Sequence, residues 1–183
     1  KVTVIGSPEL LHDGPVLAAV FSPDEKQILS AGFDRRLRLW NSQTGAEILS
    51  FKKDGATHSS RTPVTALCFS ADGKTVYSGS GDDVIVVWDT ASGGWTGTLP
   101  GHKGGIKSLV LSFGGKQLFS TGADGSVKLW NLDTKELIKS FDGHDGTVFD
   151  VAVSPDGKKI ASCGRDGTLR VWDVAQGKRL VTY

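Results

Sequence analysis

Apolar and polar residues along this chain fall into short runs that alternate or stay apolar, and no stretch keeps helical spacing. Val148–Ser154 (VFDVAVS) is an apolar run that stops at Pro155-Asp156-Gly157, a strong turn signal. Lys159–Cys163 (KIASC) reads as a second strand, ended by Gly164-Arg165-Asp166-Gly167. Thr168–Trp172 (TLRVW) alternates, with Leu169 and Val171 on one face, and Lys178–Tyr183 (KRLVTY) makes a fourth strand.

The same unit recurs up the chain. Its first turn appears again as SPDEK (Ser22–Lys26), SADGK (Ser70–Lys74) and SFGGK (Ser112–Lys116), and its third strand as RLRLW, VIVVW and SVKLW. Trp40, Trp88, Trp130 and Trp172 lie 48, 42 and 42 residues apart. Each follows an aspartate by six positions (Asp34, Asp82, Asp124, Asp166) and a serine by ten (Ser30, Ser78, Ser120, Ser162). Three also follow a histidine by twenty-eight: His12, His102 and His144. A fixed period in this range marks a repeat architecture. Four short antiparallel strands per period make a blade, and blades set radially bury both faces, which accounts for strands as apolar as VIVVW. The expected fold class is all-β: a β-propeller segment of four four-stranded blades, a partial ring or half of an eight-bladed one.

The boundaries follow from the period. Residues 1–11 form a leading strand, 12–51 blade one, 52–63 a long polar inter-blade loop, 64–100 blade two, 101–142 blade three and 143–183 blade four. The six extra residues of the first interval fall in that loop, KKDGATHSSRTP. In blade two, Ser60 stands where the histidine belongs.

Gly101-His102, Gly143-His144, the pairs Trp88-Asp89 and Trp172-Asp173, and the variants Trp40-Asn41 and Trp130-Asn131 resemble the WD-repeat β-propeller family over nearly all of Leu11–Tyr183. The resemblance implies a hydrogen-bonded chain inside each blade. The aspartate between the second and third strands accepts from the histidine, the histidine contacts the serine, and the serine meets the tryptophan indole N–H. It also implies protein-interaction work on the top face, built by the inter-blade loops and the turns between second and third strands. By position, that face carries Leu17 and Phe33 in blade one, Thr65 in blade two, Lys107 in blade three, and Phe149 with Arg165 in blade four. Aromatic and arginine side chains carry most of the energy in interface hot spots, so these six are the candidate partner-binding residues.

Charge and composition narrow the classes. Lys plus Arg number 21 against 20 Asp plus Glu, a formal net charge of +1. That balance gives no clustered basic excess, so no nucleic-acid partner is expected. No apolar run approaches the ~20 residues needed to span a bilayer, so no membrane partner is expected and the chain is expected to be soluble and cytoplasmic. Cys68 and Cys163 sit in apolar strand patterns and are expected to be buried free thiols. Asp150 is odd, because its counterparts are Ala18, Ala66 and Ser108. A buried pair with Arg165 is expected.

His, Asp and Ser together suggest a hydrolase triad. The set recurs blade after blade, however, and no Gly-x-Ser-x-Gly elbow surrounds any of the serines. The histidines show no metal-ligand spacing, so neither metal nor cofactor is expected. The reading is a non-catalytic scaffold binding a protein or peptide. Its alternatives are a regulatory module of a larger enzyme such as a protein kinase and, remotely, a serine hydrolase.

Four blades in an arc would leave two apolar faces open. Additional blades on a longer chain, self-association of two copies into an eight-bladed ring, and closure of four blades on themselves all remain open at this point.

Overall fold

The computed structural model describes residues 12–51, 60–112 and 114–183. The leading strand 1–11, most of the inter-blade loop and Phe113 of the third first-turn lie outside the described residues.

Among the described residues, sixteen strands form four four-stranded antiparallel sheets, each in sequence order. Blade one is β1 (Val16–Phe21), β2 (Gln27–Gly32), β3 (Leu37–Asn41) and β4 (Glu47–Ser50). Blade two is β5 (Val64–Phe69), β6 (Thr75–Ser80), β7 (Val84–Asp89) and β8 (Trp95–Pro100). Blade three is β9 (Ile106–Leu111), β10 (Gln117–Gly122), β11 (Ser126–Asn131) and β12 (Glu136–Asp142). Blade four is β13 (Val148–Val153), β14 (Lys159–Gly164), β15 (Leu169–Asp173) and β16 (Arg179–Thr182).

The blades pack face to face, and three apolar cores lie between them. Leu29, Leu37 and Phe51 of blade one meet Val64, Val76 and Trp88 of blade two. Tyr77, Ile85 and Leu99 meet Ile106, Leu118 and Trp130 at the next interface. Phe119, Val127 and Phe141 meet Val148, Ile160 and Trp172 at the last. Every interface thus sets the third-strand tryptophan of one blade against bulky side chains of the blade before it. Phe51 and Trp88, and likewise Phe141 and Trp172, touch edge to face with centroids 6.0 Å apart. The innermost strands β1, β5, β9 and β13 are neighbours in turn, which makes the arrangement a partial propeller ring.

The first turns repeat one design. Ser22, Ser70 and Ser154 donate their hydroxyls to Asp24, Asp72 and Asp156 at 2.7, 2.6 and 2.6 Å, and the same carboxylates accept the Lys26, Lys74 and Lys158 N–H groups. These bonds, the serine hydroxyl first, hold all three carboxyls below their ordinary value.

Two expectations are corrected. Asp150 is exposed, and it accepts at 2.6 Å from Ser108 of the preceding blade instead of pairing with Arg165. A carboxylate on an innermost strand reaches the neighbouring inner strand more readily than a turn on its own blade. Both cysteines are free, but Cys163 is exposed, because the blade-four face that carries it has no blade against it among the described residues.

Candidate interaction face and the networks beneath it

The top face rests on a buried hydrogen-bond chain in three blades. His12 Nδ1 is 2.7 Å from Asp34 and its Nε2 is 2.6 Å from Ser30, whose oxygen receives the Trp40 indole N–H at 2.7 Å. In blade three His102 Nδ1 is 3.0 Å from Asp124 and Nε2 is 2.7 Å from Ser120, with Trp130 at 2.8 Å. In blade four the corresponding distances are 3.0, 2.8 and 2.9 Å, for Asp166, Ser162 and Trp172.

Direction follows from chemistry. An indole N–H can only donate, so the serine oxygen accepts it and the serine proton goes to the histidine Nε2. A carboxylate can only accept, so the histidine Nδ1 carries a proton and donates to the aspartate. Each aspartate also accepts the N–H of the residue after the histidine, at 3.3 Å for Asp13, 2.9 Å for Lys103 and 3.1 Å for Asp145. One carboxylate thereby ties the inter-blade loop to the turn between the second and third strands.

These serines cannot act as nucleophiles as they stand. Ser120 and Ser162 are 0% and 1% exposed, and each oxygen is already held by an indole donor. Elsewhere, an open hollow of about 330 Å³ lined by Val20, Phe21, Leu67, Cys68 and Leu111 holds a thiol but no base. Burial pushes the Cys68 thiol up to about 11, away from the reactive thiolate. Among the described residues no group of three or more His, Cys, Asp and Glu could hold a metal ion.

Blade two is built differently. Ser60 donates to Asp82 at 3.2 Å, and the Arg61 N–H reaches the same oxygen at 3.4 Å. Trp88 still donates to Ser78 at 2.9 Å, but no imidazole stands behind that serine among the described residues. The buried Thr62 hydroxyl nearby has no hydrogen-bond partner among the described residues.

A β-bulge in each inner strand presents the face itself. Between Val16 and Ala18, Val64 and Ala66, Ile106 and Ser108, and Val148 and Asp150, the register against the second strand slips by one residue. The extra residues are Leu17, Thr65, Lys107 and Phe149. An unpaired bulge residue is freed from the ladder and re-aimed, which is why bulges mark rims and sites. Leu17 and Phe149 are exposed, as is Phe33 in the blade-one turn. Arg165 is exposed and lies along Gly146, with its backbone N–H on the Thr147 carbonyl at 2.8 Å. Lys107 is half-buried. Thr65 is occupied, since its hydroxyl donates at 2.6 Å to the Ile106 carbonyl of the next blade. Chemistry is therefore offered by blades one, three and four, while blade two contributes a cross-blade tie.

Two features escape the sequence pattern. Arg170 donates to Asp166 at 2.9 Å, to Thr168 at 3.1 Å and to the Gly143 carbonyl, extending the blade-four network to a buried cation. Arg38 does similar work in blade one, with Glu47 at 3.0 Å. Their signal was a charged residue inside an apolar third strand, where blade two has Val86. Second, the outer strands are bulged too, and they turn Ile48, Ile138 and Leu180 outward on the rim.

The family model described as WD domain, G-beta repeat matches residues 9–41, 50–89, 93–131 and 135–173. The chain belongs to the WD-repeat family. Among solved structures, U3-55K superposes with a TM-score of 0.85 at 29% identity, covering 94% of this chain and 52% of that one. The RRP9 WD40 repeats superpose at 0.83 and 30% identity, covering 93% and 51%. The pre-mRNA-splicing factor cwf17 of Schizosaccharomyces pombe is 32% identical over 98 residues, 54% of this chain and 27% of that protein. The U3 small nucleolar RNA-interacting protein 2 of Mus musculus is 31% identical over 105 residues, 54% and 22%. The alignments thus span about a quarter of these two relatives and about half of the two solved structures. Neither relative is named as an enzyme.

These names correct the expectation drawn from charge. A net charge of +1 does not exclude nucleic acid: similar WD-repeat proteins are named for pre-mRNA splicing and for interaction with a small nucleolar RNA. Net charge averages over the whole surface, whereas recognition uses one face at a time. Membership of an RNA-associated assembly also needs no basic surface when protein contacts provide it.

Proposed function

We propose that the chain is a non-catalytic interaction scaffold whose top face takes a protein or peptide partner. The observation that carries this reading is the bulge in every inner strand, which detaches one side chain per blade from the sheet. Leu17 with Phe33 provides an apolar patch, and Phe149 with Arg165 an aromatic–cation corner with Lys107 on the adjoining strand. Relatives named for pre-mRNA splicing and for interaction with a small nucleolar RNA support seeking that partner first among proteins that work with RNA.

The test is selection of binding peptides from a random library on the immobilised chain, followed by affinities for Phe149→Ala and Arg165→Ala. Each substitution should weaken binding by ~1–3 kcal/mol. Peptides that bind wild type and both variants equally would remove the top face from the reading.

A further inference from the structure

Where the outer strand of one blade passes the last turn of the next, a long side chain meets a glycine. Leu49, Gly97 and Lys139 are equivalent, each paired across the sheet with the residue before the third-strand tryptophan. Gly93, Lys135 and Gly177 hold one position in the turns that follow the third strands, and all are left-handed, with φ of 67°, 60° and 71°. A Cβ on Gly93 would lie 2.8 Å from the Leu49 Cδ2, and one on Gly177 would lie 3.0 Å from the Lys139 Cδ. Between blades two and three the roles reverse. There the turn carries Lys135, and a Cβ on Gly97 would lie 3.2 Å from its Nζ.

The reversal carries a backbone cost that the other two joints avoid. A lysine with φ of 60° sits where L residues are disfavoured and glycine is at home. In return its ammonium crosses the bare Gly97 backbone and donates to the Thr96 carbonyl at 3.3 Å. Lys139 makes the matching contact in the opposite sense. From the strand it donates to the turn carbonyls of Val174, at 3.2 Å, and of Ala175. Both lysines thus bond the backbone of the adjoining blade, and each lies over the glycine opposite.

We propose that this pair of positions determines which blade is accepted as a neighbour. The blades share one strand order and one kind of apolar face, so those features alone do not single out the correct neighbour. Misassembly is a characteristic failure of repeat chains, whose units contact only the units beside them. The rim pair does discriminate. Blade three behind blade one would set Lys135 against Leu49, two long side chains in the space of one. Blade four behind blade two would set Gly97 against Gly177 and leave the joint empty. Specific joints reject wrong partners by clash as well as attracting the right ones by contact.

The experiment is denaturant unfolding of the full chain together with hydrogen exchange of its strand amides. Gly177→Lys sets two long side chains at the joint of blades three and four. Adding Lys139→Gly rebuilds there the arrangement of Gly97 and Lys135. Gly167→Lys controls for the backbone cost, because Gly167 has φ of 74° and an added Cβ would meet nothing within 4 Å among the described residues. Gly177→Lys should lower stability more than Gly167→Lys does, and should speed exchange in β15 and β16 while leaving β2 and β3 unchanged. In the Lys139→Gly background it should cost no more than the control, a coupling of about tenfold in the unfolding constant. A Gly177→Lys chain that fails to fold is the same large loss, and the double variant must then fold. Equal losses in both backgrounds overturn the proposal, and so does a Gly177→Lys chain as stable as the control.

Discussion

The ring of His102 occupies the space that a side chain on residue 122 would need. A Cβ added to Gly122 would lie 2.5 Å from the His102 Nδ1, and one added to Gly164 would lie 2.7 Å from the His144 Nδ1. Blade two has Ser80 at this position and Ser60 at the histidine position, and the Ser80 hydroxyl accepts the Asp82 N–H at 3.1 Å. In blades three and four histidine and glycine are thus one device, whereas in blade one a Cβ on Gly32 would meet the Pro15 carbonyl first.

Ser60→His alone should therefore destabilise the chain by about 1–3 kcal/mol, because the new imidazole overpacks against Ser80. Adding Ser80→Gly should reverse that loss and close a fourth network, with a coupling of about 0.5–3 kcal/mol. Denaturant unfolding of both singles and the double measures it. Strictly additive effects would show that the two positions are independent.

Glu25 should be improvable. It has φ of 61°, in a turn where Gly73, Gly115 and Gly157 hold φ near 71°. A left-handed conformation costs an ordinary residue roughly 1–2 kcal/mol, and glycine returns part of that through unfolded-state entropy, about 0.5–1 kcal/mol. Glu25→Gly should raise stability by a net gain of about 0.5–1 kcal/mol, read as a higher melting temperature. A lower melting temperature would mean that contacts of the glutamate outweigh the backbone.

Acid should weaken the fold through its network carboxylates. Burial alone would raise the carboxyls of Asp124 and Asp166, but hydrogen bonds from His102 and the Lys103 N–H, and from His144 and the Asp145 N–H, hold them well below the usual range. A carboxyl lowered in the folded state stabilises above its ordinary value of 3.8 and loses that contribution as pH falls through the folded value. Unfolding midpoints measured downward from neutral pH should hold until about pH 4 and then fall. Asp124→Asn should start lower and show a shallower acid limb. An acid limb of unchanged steepness would assign the effect to other groups.

Phe141 tests whether the blades are joined through their apolar faces. It is 1% exposed and touches Trp172 across the last interface. Phe141→Ala should cost about 3–5 kcal/mol. A loss under about 1 kcal/mol would mean that the interface collapses around the gap.

The blade architecture was legible because its signals are local and repeated: tryptophan spacing, Asp-Gly turns and apolar third strands. Leu17, Lys107 and Phe149 could be placed by offset alone, although the bulges that free them from the ladder leave no mark in the sequence. Relations between blades were not legible. Nothing near Asp150 names Ser108 as its donor, and nothing near Thr65 says that its hydroxyl is spent on the Ile106 carbonyl, since these contacts join residues 42 and 41 positions apart. Ser80 could have been read, because Gly32, Gly122 and Gly164 stand at its position in the other blades. Its meaning needed the imidazole in three dimensions.

The inner-strand bulge separates what each blade must keep from what it is free to vary. Residues 17, 65, 107 and 149 take no part in the pairing ladder, so three of them can be exchanged without disturbing a sheet bond or a packed interface. Thr65 alone is tethered, by its cross-blade hydroxyl. On the proposed reading, a new side chain at position 17, 107 or 149 would change what the top face offers a partner while the sheets beneath it keep their pairing.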